Sequence, residues 1–293
     1  MGALFATLHK NRRLLKDFVL RDLKARYVGS SMGFFWSVVF PIINLFVYMF
    51  VFRLVLNMRW GDKQGASEVA LIMLAGIIVW SGFAETISRT TNSLVENSNL
   101  IQKVVFPSEV LPVYLALSSL VNMCIGLPVV MLGVAWFAYV SPDVETAALL
   151  QTTPLPIPAA QPEVHPLGLG LPLVFLPVLF LLQGMFTVGL GYLLSTLNLF
   201  LRDTYHLVGV GVTVWMFATP IFYPDFLVRE KGFGWILELN PMYWLIEAYR
   251  DVLCYGTWPE WALLGRFALV SVVLVFLGWS FFKAQKPRFP DLL

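Results

Sequence analysis

The chain has 293 residues, of which 58% are hydrophobic and only 13% are charged, and its formal net charge is +2. Soluble domains carry about a quarter charged residues, so this composition excludes an ordinary soluble domain and indicates a membrane protein. The small net charge argues against a nucleic-acid partner recognised by a basic surface. The two cysteines, Cys124 and Cys254, predict neither a disulfide framework nor a metal site.

Residues 1–31 are predicted to form an amphipathic helix in the membrane interface. Apolar residues recur every three or four positions from Leu14 to Tyr27, and Arg and Lys fill most positions between them. Such a helix places its apolar stripe in the acyl boundary and its cations among lipid phosphates. Residues 32–293 are then expected to form one membrane domain.

Six later segments are apolar enough to cross a membrane, since a helical crossing takes about 20 residues. They are Phe34–Leu56, Val69–Ile87, Glu109–Val140, Leu171–Leu197, Leu207–Tyr223 and Trp261–Phe282. Lys and Arg crowd both ends of the chain, whereas the Pro-rich loop 141–170 contains neither. Because these cations mark cytosolic segments, we expect both termini in the cytosol and the Pro-rich loop outside.

The segment 92–112 joins the second and third spans on the expected cytosolic side. Polar residues from Glu96 to Asn99 have the side-chain oxygens that cap a helix, apolar residues follow with helical spacing, and Pro107 ends the pattern. Two interpretations stay open: an ordinary interfacial loop helix, or a docking helix that takes force from a soluble partner. The candidate docking residues are Asn99, Leu100, Ile101, Gln102, Lys103, Val104, Val105 and Phe106.

The segment 224–260 contains two apolar pieces, Phe233–Leu239 and Met242–Tyr255, separated by Asn240-Pro241. Charged residues within them argue against a full crossing, because charge is costly in the bilayer. The pattern predicts a pair of short helices that dip into the outer leaflet, the second ending at Gly256.

Catalytic chemistry is not indicated anywhere in the sequence. The histidines are scattered, and no phosphate-binding G-x-x-x-x-G-K-[S/T] motif occurs, so the energy for any uphill movement must come from elsewhere. Glu85 and Arg89, four residues apart, predict an ion pair on one helix face. Thr187, Gly191 and Ser195 predict a close helix–helix seam.

Aromatic residues are concentrated in the first and fifth spans. Interfacial belts and lipid-facing packing explain many of them. The alternative is a pore wall, where flat rings contact the C–H faces of sugars and let a polymer slide. The candidate channel residues are Phe35, Trp36, Tyr48, Phe52, Trp215, Phe222 and Tyr223.

Four motifs occur in a characteristic order. They are Leu20–Tyr27 leading into Gly33–Trp36 and Pro41, then Asn99–Pro107, then Asn198–Asp203, and finally Thr219–Pro224 followed by Asn240-Pro241. Together they resemble the membrane-spanning permeases of ATP-binding-cassette exporters, which move lipid-linked O-antigen, capsule or teichoic-acid chains. The local motifs are nearer to the O-antigen and teichoic-acid permeases, and the Pro-rich loop 141–170 is longer than the family usually has.

The resemblance implies an all-α permease with six spans, an interface helix, a cytosolic coupling helix and two re-entrant outer gate helices. It implies a homodimer in the bacterial inner membrane, driven by two copies of a separate ATPase subunit. ATP and Mg would be bound by that partner, and no cofactor or metal by this chain. The gate residues would be Asn240, Pro241, Glu247 and Arg250.

The alternative function is an ATPase-independent carrier or a lipid-modifying membrane enzyme. A carrier would be expected to show midplane ionisable groups or internal repeats. A membrane enzyme would show paired carboxylates or clustered histidines at one face. The sequence shows neither pattern.

Overall fold

The computed structural model describes residues 2–28, 35–48, 50–51, 55, 66–103, 106–140 and 167–293, and these ranges form helices and connecting turns with no strand. This confirms the all-α class. In chain order the helices are α1 Gly2–Lys10, α2 Arg12–Tyr27, α3 Trp36–Tyr48, α4 Ala66–Glu96, α5 Ser98–Lys103, α6 Val110–Ala135, α7 Leu176–Phe200, α8 Thr204–Ala218, α9 Asp225–Glu230, α10 Gly234–Glu238, α11 Pro241–Arg250, α12 Trp261–Gln285 and α13 Phe289–Leu292. Turns of other pitch extend α6 over Trp136–Val140 and α11 over Asp251–Tyr255, precede α7 at Leu171–Phe175, and follow α12 at Lys286–Arg288.

Among the described residues, four helical stretches are long and apolar enough to cross a membrane: Glu68–Glu96, Val110–Val140, Leu171–Phe200 and Trp261–Leu292. They coincide with the second, third, fourth and sixth predicted spans. The first predicted span is described mainly by α3, and several residues of its second half, including Phe52 and Arg53, lie outside the described residues.

The fifth predicted span, Leu207–Tyr223, is wrong at its end, because the α8 helix stops at Ala218. Thr219 has φ −102° and ψ 132°, the extended conformation favoured before a proline, and Pro220 follows it. The 15 residues of α8 span about 22 Å, less than the roughly 30 Å of a bilayer core.

The N-terminal unit consists of two helices rather than the single predicted one. Asn11 separates α1 from α2, and its side-chain amide donates to the Thr7 carbonyl at 2.8 Å. An Asn side chain that bonds the backbone in this way competes with helix continuation. The apolar side of α2 also faces the protein, since the Phe18 ring lies 5.1 Å from Tyr114 and 5.7 Å from Phe106. This corrects the expectation that its apolar stripe faces lipid.

The closest backbone contact is between α7 and α12. A Cβ added to Gly278 would overlap the Gly189 carbonyl oxygen, and one added to Gly189 would lie 2.6 Å from the Leu274 backbone. The predicted seam of small residues on α7 is also confirmed, and the helix that packs against it is α4. A Cβ at Gly191 would lie 3.1 Å from Thr90.

The bundle has two ends, named here by the helices they carry. At the α5 end, Asn198 near the end of α7 bonds Asn92 of α4 at 3.4 Å, and a hydrophobic cluster centred on Phe18, Tyr192 and Phe282 fills the interior. At the α11 end, the Gly168 N–H donates to the Cys254 carbonyl at 2.8 Å. A larger hydrophobic cluster, mainly from α4, α6, α7 and α11, lies between that end and the middle.

Candidate functional site

The helix α4 continues past its predicted span to Glu96 and reaches α5 after one residue, Asn97. The Asn97 amide donates to the Ser93 carbonyl at 2.8 Å, and the Asn97 carbonyl accepts from the Leu100 N–H at 3.0 Å. The helix α5 does begin inside the predicted cap Glu96–Asn99, at Ser98, but Asn97 bonds α5 through its backbone carbonyl, and its side-chain amide bonds α4. The helices α4 and α5 are therefore separated by a single residue, which is itself hydrogen-bonded to α4.

The helix α5 is also shorter than the predicted one, which extended to Phe106. It ends at Lys103, Val104 and Val105 lie outside the described residues, and Phe106 is not helical. Phe106 packs instead against the interface helix α2. The helix α6 begins at Val110, whose N–H donates to the Pro107 carbonyl at 3.0 Å, so two long helices flank α5 closely in sequence.

The apolar side of α5 is partly covered by this chain itself. Leu100 and Ile101 are half-buried and pack against the cluster that fills the α5 end. The last helix, α13, contacts α5, and its Phe289 is only 1% exposed, with its ring 5.0 Å from Phe282. Leu100 and Ile101 are therefore only partly exposed, and their predicted contact with a partner stays a prediction.

The exposed side of α5 is polar. Asn99, Gln102 and Lys103 are exposed and form what is called here the α5 edge. At the same end, Lys286 forms an ion pair with the buried Glu109 at 2.5 Å, which joins the tail to the start of α6. The α5 edge therefore projects from a platform that α4, α6 and the tail hold in place.

An ion cluster fixes the interface helix to this platform. Its members, called the Asp22 cluster, are Asp22 and Arg26 of α2, Glu85 and Arg89 of α4, and Ser118 of α6. The Asp22 carboxylate accepts from Arg26 at 3.2 Å and from Arg89 Nη1 at 3.0 Å, and also from Arg89 Nη2 and the Ser118 hydroxyl. Arg26 also pairs with Glu85 at 2.5 Å.

The electrostatics of Asp22 follow from these contacts. Burial alone would raise the pKa of this carboxyl, but the hydrogen bonds from Arg89 and Ser118 and the charges of Arg89 and Arg26 outweigh it, so the pKa is lowered. The ionised carboxylate thus joins three helices at neutral pH. The predicted Glu85–Arg89 pair is confirmed at 3.4 Å, whereas the role of Asp22 was missed because its partner Arg89 lies 67 residues away.

The candidate channel aromatics fall into separate groups. Phe35 and Trp36, at the start of α3, are 66% and 37% exposed. Tyr48, at the other end of α3, contacts Phe222 with ring centroids 6.3 Å apart, and the Tyr223 hydroxyl donates to the Phe217 carbonyl at 2.6 Å. Phe52 lies outside the described residues. The structure thus brings Tyr48 and Phe222 together but places Phe35 and Trp36 three turns away along α3.

Trp215 lies among other rings rather than alone on a surface. Its ring is 5.3 Å from Phe83, 6.1 Å from Trp80 and 6.4 Å from Phe186, all edge to face. Its indole N–H donates to Asn240 Oδ1 at 2.8 Å. Contacts with other rings and with Asn240 therefore account for much of the surface of Trp215. This favours a packing role for Trp215 over a place in a pore wall.

The predicted pair of short helices at the α11 end is confirmed as helices, with the break at Asn240-Pro241 and the end at Gly256, which has φ +62°. Asn240 Oδ1 accepts from the backbone N–H groups of Met242 and Tyr243, and Pro241 occupies the first helical position, where its missing N–H costs least. Asn240 also donates to Thr219 at 2.9 Å. One side chain thus caps α11 and joins it to the end of α8.

Arg250 joins α11 to α4 and to the turn that follows α8. It is 2% exposed and donates to the carbonyls of Pro220 at 3.0 Å and Ile221 at 3.1 Å, and to Glu247 at 2.6 Å. It also reaches the Ile72 carbonyl on α4 at 3.4 Å. The two candidate gate charges are therefore paired with each other, and Arg250 locks the turn after α8 to α4.

Metal chemistry has no candidate in the described ranges, where no group of three or more His, Cys, Asp or Glu side chains could hold an ion. The arrangement is that of a helical membrane bundle with a protruding helix at one end and a hydrogen-bonded helix pair at the other.

Comparison with known proteins identifies the family. Residues 14–254 match the family model described as ABC-2 type transporter. The chain is 30% identical over 293 residues to the O-antigen export system permease protein RfbA of Myxococcus xanthus, covering 99% of both chains. It is 28% identical over 281 residues to a protein of the same name from Klebsiella pneumoniae, covering 96% of this chain and 95% of that protein. The chain belongs to the ABC-2 type transporter family of permeases.

Proposed function

We propose that this chain is the permease subunit of an ATP-driven exporter that moves lipid-linked polysaccharide of the O-antigen type across the bacterial inner membrane. It acts as a homodimer with two copies of a separate ATPase subunit, which binds ATP and Mg. The names of the two relatives support the substrate class. The lack of a phosphate-binding loop in the sequence supports a separate ATPase.

The observation that carries this proposal is the close connection of α4 to α5. A permease driven by another protein needs a rigid element that receives force and passes it to membrane helices. The helix α5 is separated from α4 by one residue, and Asn97 bonds it back onto α4. The Asp22 cluster then carries the movement of α4 to the interface helix and to α6.

The proposed topology has six spans, with α3 and α8 lying in the two that the four long helices do not supply. The α5 end faces the cytosol, as do both termini, because Arg89, Lys103, Arg202, Lys283 and Lys286 lie at that end. The helices α10 and α11 then lie on the outer side as re-entrant gate helices, where Asn240, Glu247 and Arg250 hold them to α8 and α4.

The docking surface is the α5 edge. We expect Lys103→Glu, and separately Gln102→Trp, to reduce both co-purification of the ATPase subunit and export, because one reverses a charge and the other adds bulk on the exposed side. Lys283→Glu is the matched control, since Lys283 is also exposed at the α5 end but lies on α12. Ile101→Asp is a less specific test, because Ile101 is half-buried and also packs against the hydrophobic cluster of the permease itself.

Permease and ATPase subunits are to be co-expressed with a tag on the permease, and the amount of captured ATPase compared across the variants. Undiminished capture and full export in both α5-edge variants would remove the docking claim. An equal loss in Lys283→Glu would show a general effect of charge at this end rather than docking on α5.

A further inference from the structure

A groove of about 310 Å³ lies between α3, α4 and α6, near the lower limit of the volumes of small-molecule sites. Four polar residues line it, although all belong to apolar helices: Ser37, Asn44, Ser81 and Asn122. Trp36 and Phe40, whose ring centroids are 5.1 Å apart, also line the groove. The groove is called the polar groove below. None of the four polar residues was singled out from the sequence.

Two of these polar side chains need partners that the described part of the chain does not supply. Asn44 and Ser81 make no hydrogen bond within the described ranges, whereas Ser37 and Asn122 bond each other at 3.2 Å. By contrast, the Thr86 hydroxyl, which also belongs to α4, donates a hydrogen bond to the Gly82 carbonyl at 2.7 Å. An amide offers two donors and an acceptor, and polar groups at membrane depth are costly when unpaired. A hydroxylated ligand or water would satisfy both.

The charge of the groove indicates which ligand fits. Arg26 and Glu85 lie at one end of it, but they pair with each other at 2.5 Å. Arg26 also bonds Asp22, and Glu85 also bonds Arg89. A phosphate would have to compete with these carboxylates for a cation, whereas a neutral chain of hydroxyl groups meets amides, hydroxyls and aromatic faces.

We propose that the polar groove binds one or two residues of an uncharged glycan chain, with Asn44 and Ser81 as hydrogen-bonding groups and Trp36 and Phe40 as contacts for C–H faces. This deepens the proposed function and rests on it, since the ligand is the exported polymer. The two unpaired groups provide few directional contacts, so binding is weak and the chain can advance.

The first test is a binding measurement on the purified permease–ATPase complex. Ser81→Cys, a nearly isosteric change, is labelled with a water-soluble maleimide in a Cys124→Ser background, alone and with either maltoheptaose or inorganic pyrophosphate. We expect rapid labelling that maltoheptaose slows several-fold and pyrophosphate does not. Protection by pyrophosphate alone would identify an anion site and overturn the proposal. No protection by either compound would also overturn it, and would indicate a groove that is only hydrated or that is covered by a second copy.

The second test is transport by Asn44→Leu and Ser81→Ala. Each is expected to reduce export at limiting substrate by about fivefold, the equivalent of one neutral hydrogen bond, while ATPase capture stays normal. The controls are Val47→Leu on the exposed side of α3 and Thr213→Val on α8. Wild-type export in both groove variants would contradict the inference and leave the proposed function standing. A wild-type complex that exports no glycan would instead contradict the proposed function.

Discussion

The Asp22 carboxylate on α2 accepts hydrogen bonds from both terminal nitrogens of Arg89 on α4. The two residues are 67 positions apart in sequence, and their contact joins the two helices. This two-point geometry is the strongest arrangement for an arginine and a carboxylate. Because α4 leads into α5, the bond fixes the interface helix to the helix that would receive the movement of the ATPase.

Asp22→Asn is expected to destabilise the permease by about 1–3 kcal/mol, since Arg89, Arg26 and Ser118 lose the charge that they surround. The pKa of Asp22 is lowered in the folded protein, so its contribution is present above the carboxyl's ordinary pKa and is lost as the pH falls through the folded value. We therefore expect a lower melting temperature at pH 7, measured by thermal denaturation in detergent.

Asp17→Asn is the matched control, because Asp17 lies on the same helix and is exposed. Asp22→Glu should recover part of the lost stability, since it restores the charge with a longer side chain. Equal melting temperatures for Asp22→Asn and the wild type would show that the Asp22 cluster does not hold α2 in place.

Gly278→Ala is expected to destabilise the contact between α7 and α12, because the added methyl overlaps the Gly189 carbonyl. Overpacking of this kind costs about 1–3 kcal/mol. Gly265→Ala on the same helix meets nothing within 4 Å and should instead stabilise, as alanine favours a helix over glycine by about 1 kcal/mol. Melting temperatures that shift in the same direction for both variants would contradict this account of the seam.

Asp251 predicts a pH effect at the α11 end, outside the four long spans. Burial, together with the nearby charges of Glu247 and Glu260, raises the pKa of Asp251 to about 7, although a backbone hydrogen bond at Glu260 and the charge of Arg250 oppose the rise. A carboxyl with a raised pKa binds its proton more tightly in the folded state. Its ionisation therefore reduces stability as the pH rises from its ordinary pKa to about 7.

Asp251→Asn, which cannot ionise, should therefore raise the melting temperature at pH 8 and change it much less at pH 4. Asp291→Asn, at an exposed position on α13, should change neither value. An Asp251→Asn variant with the same melting curve as the wild type at pH 8 would show that this carboxyl is not held in a desolvated site.

The long spans could be predicted because length and hydropathy decide them locally. The sequence also indicated the helix break at Asn240-Pro241, since Asn caps a helix and Pro begins one. The end of α8 was missed although its signal was present. Thr219 precedes Pro220, and this position favours an extended backbone.

The site was less predictable, because its decisive contacts join residues far apart in the chain. Leu100 and Ile101 have the spacing of a docking face, but the tail helix that carries Phe289 lies against that helix. No local pattern shows this. The Glu85–Arg89 pair was predicted from its four-residue spacing, whereas Asp22, which completes the cluster, has no local signal.

The central claim is that this permease moves lipid-linked polysaccharide only when a separate ATPase drives it. The most direct measurement uses proteoliposomes that contain lipid-linked O-antigen and either the permease alone, the permease with its ATPase subunit, or the pair with a catalytically inactive ATPase. Transfer of the glycan to the opposite leaflet is followed by its accessibility to a glycan-cleaving enzyme. We predict ATP-dependent transfer by the active pair only. Transfer by the permease alone, or no transfer by the active pair, would contradict the account.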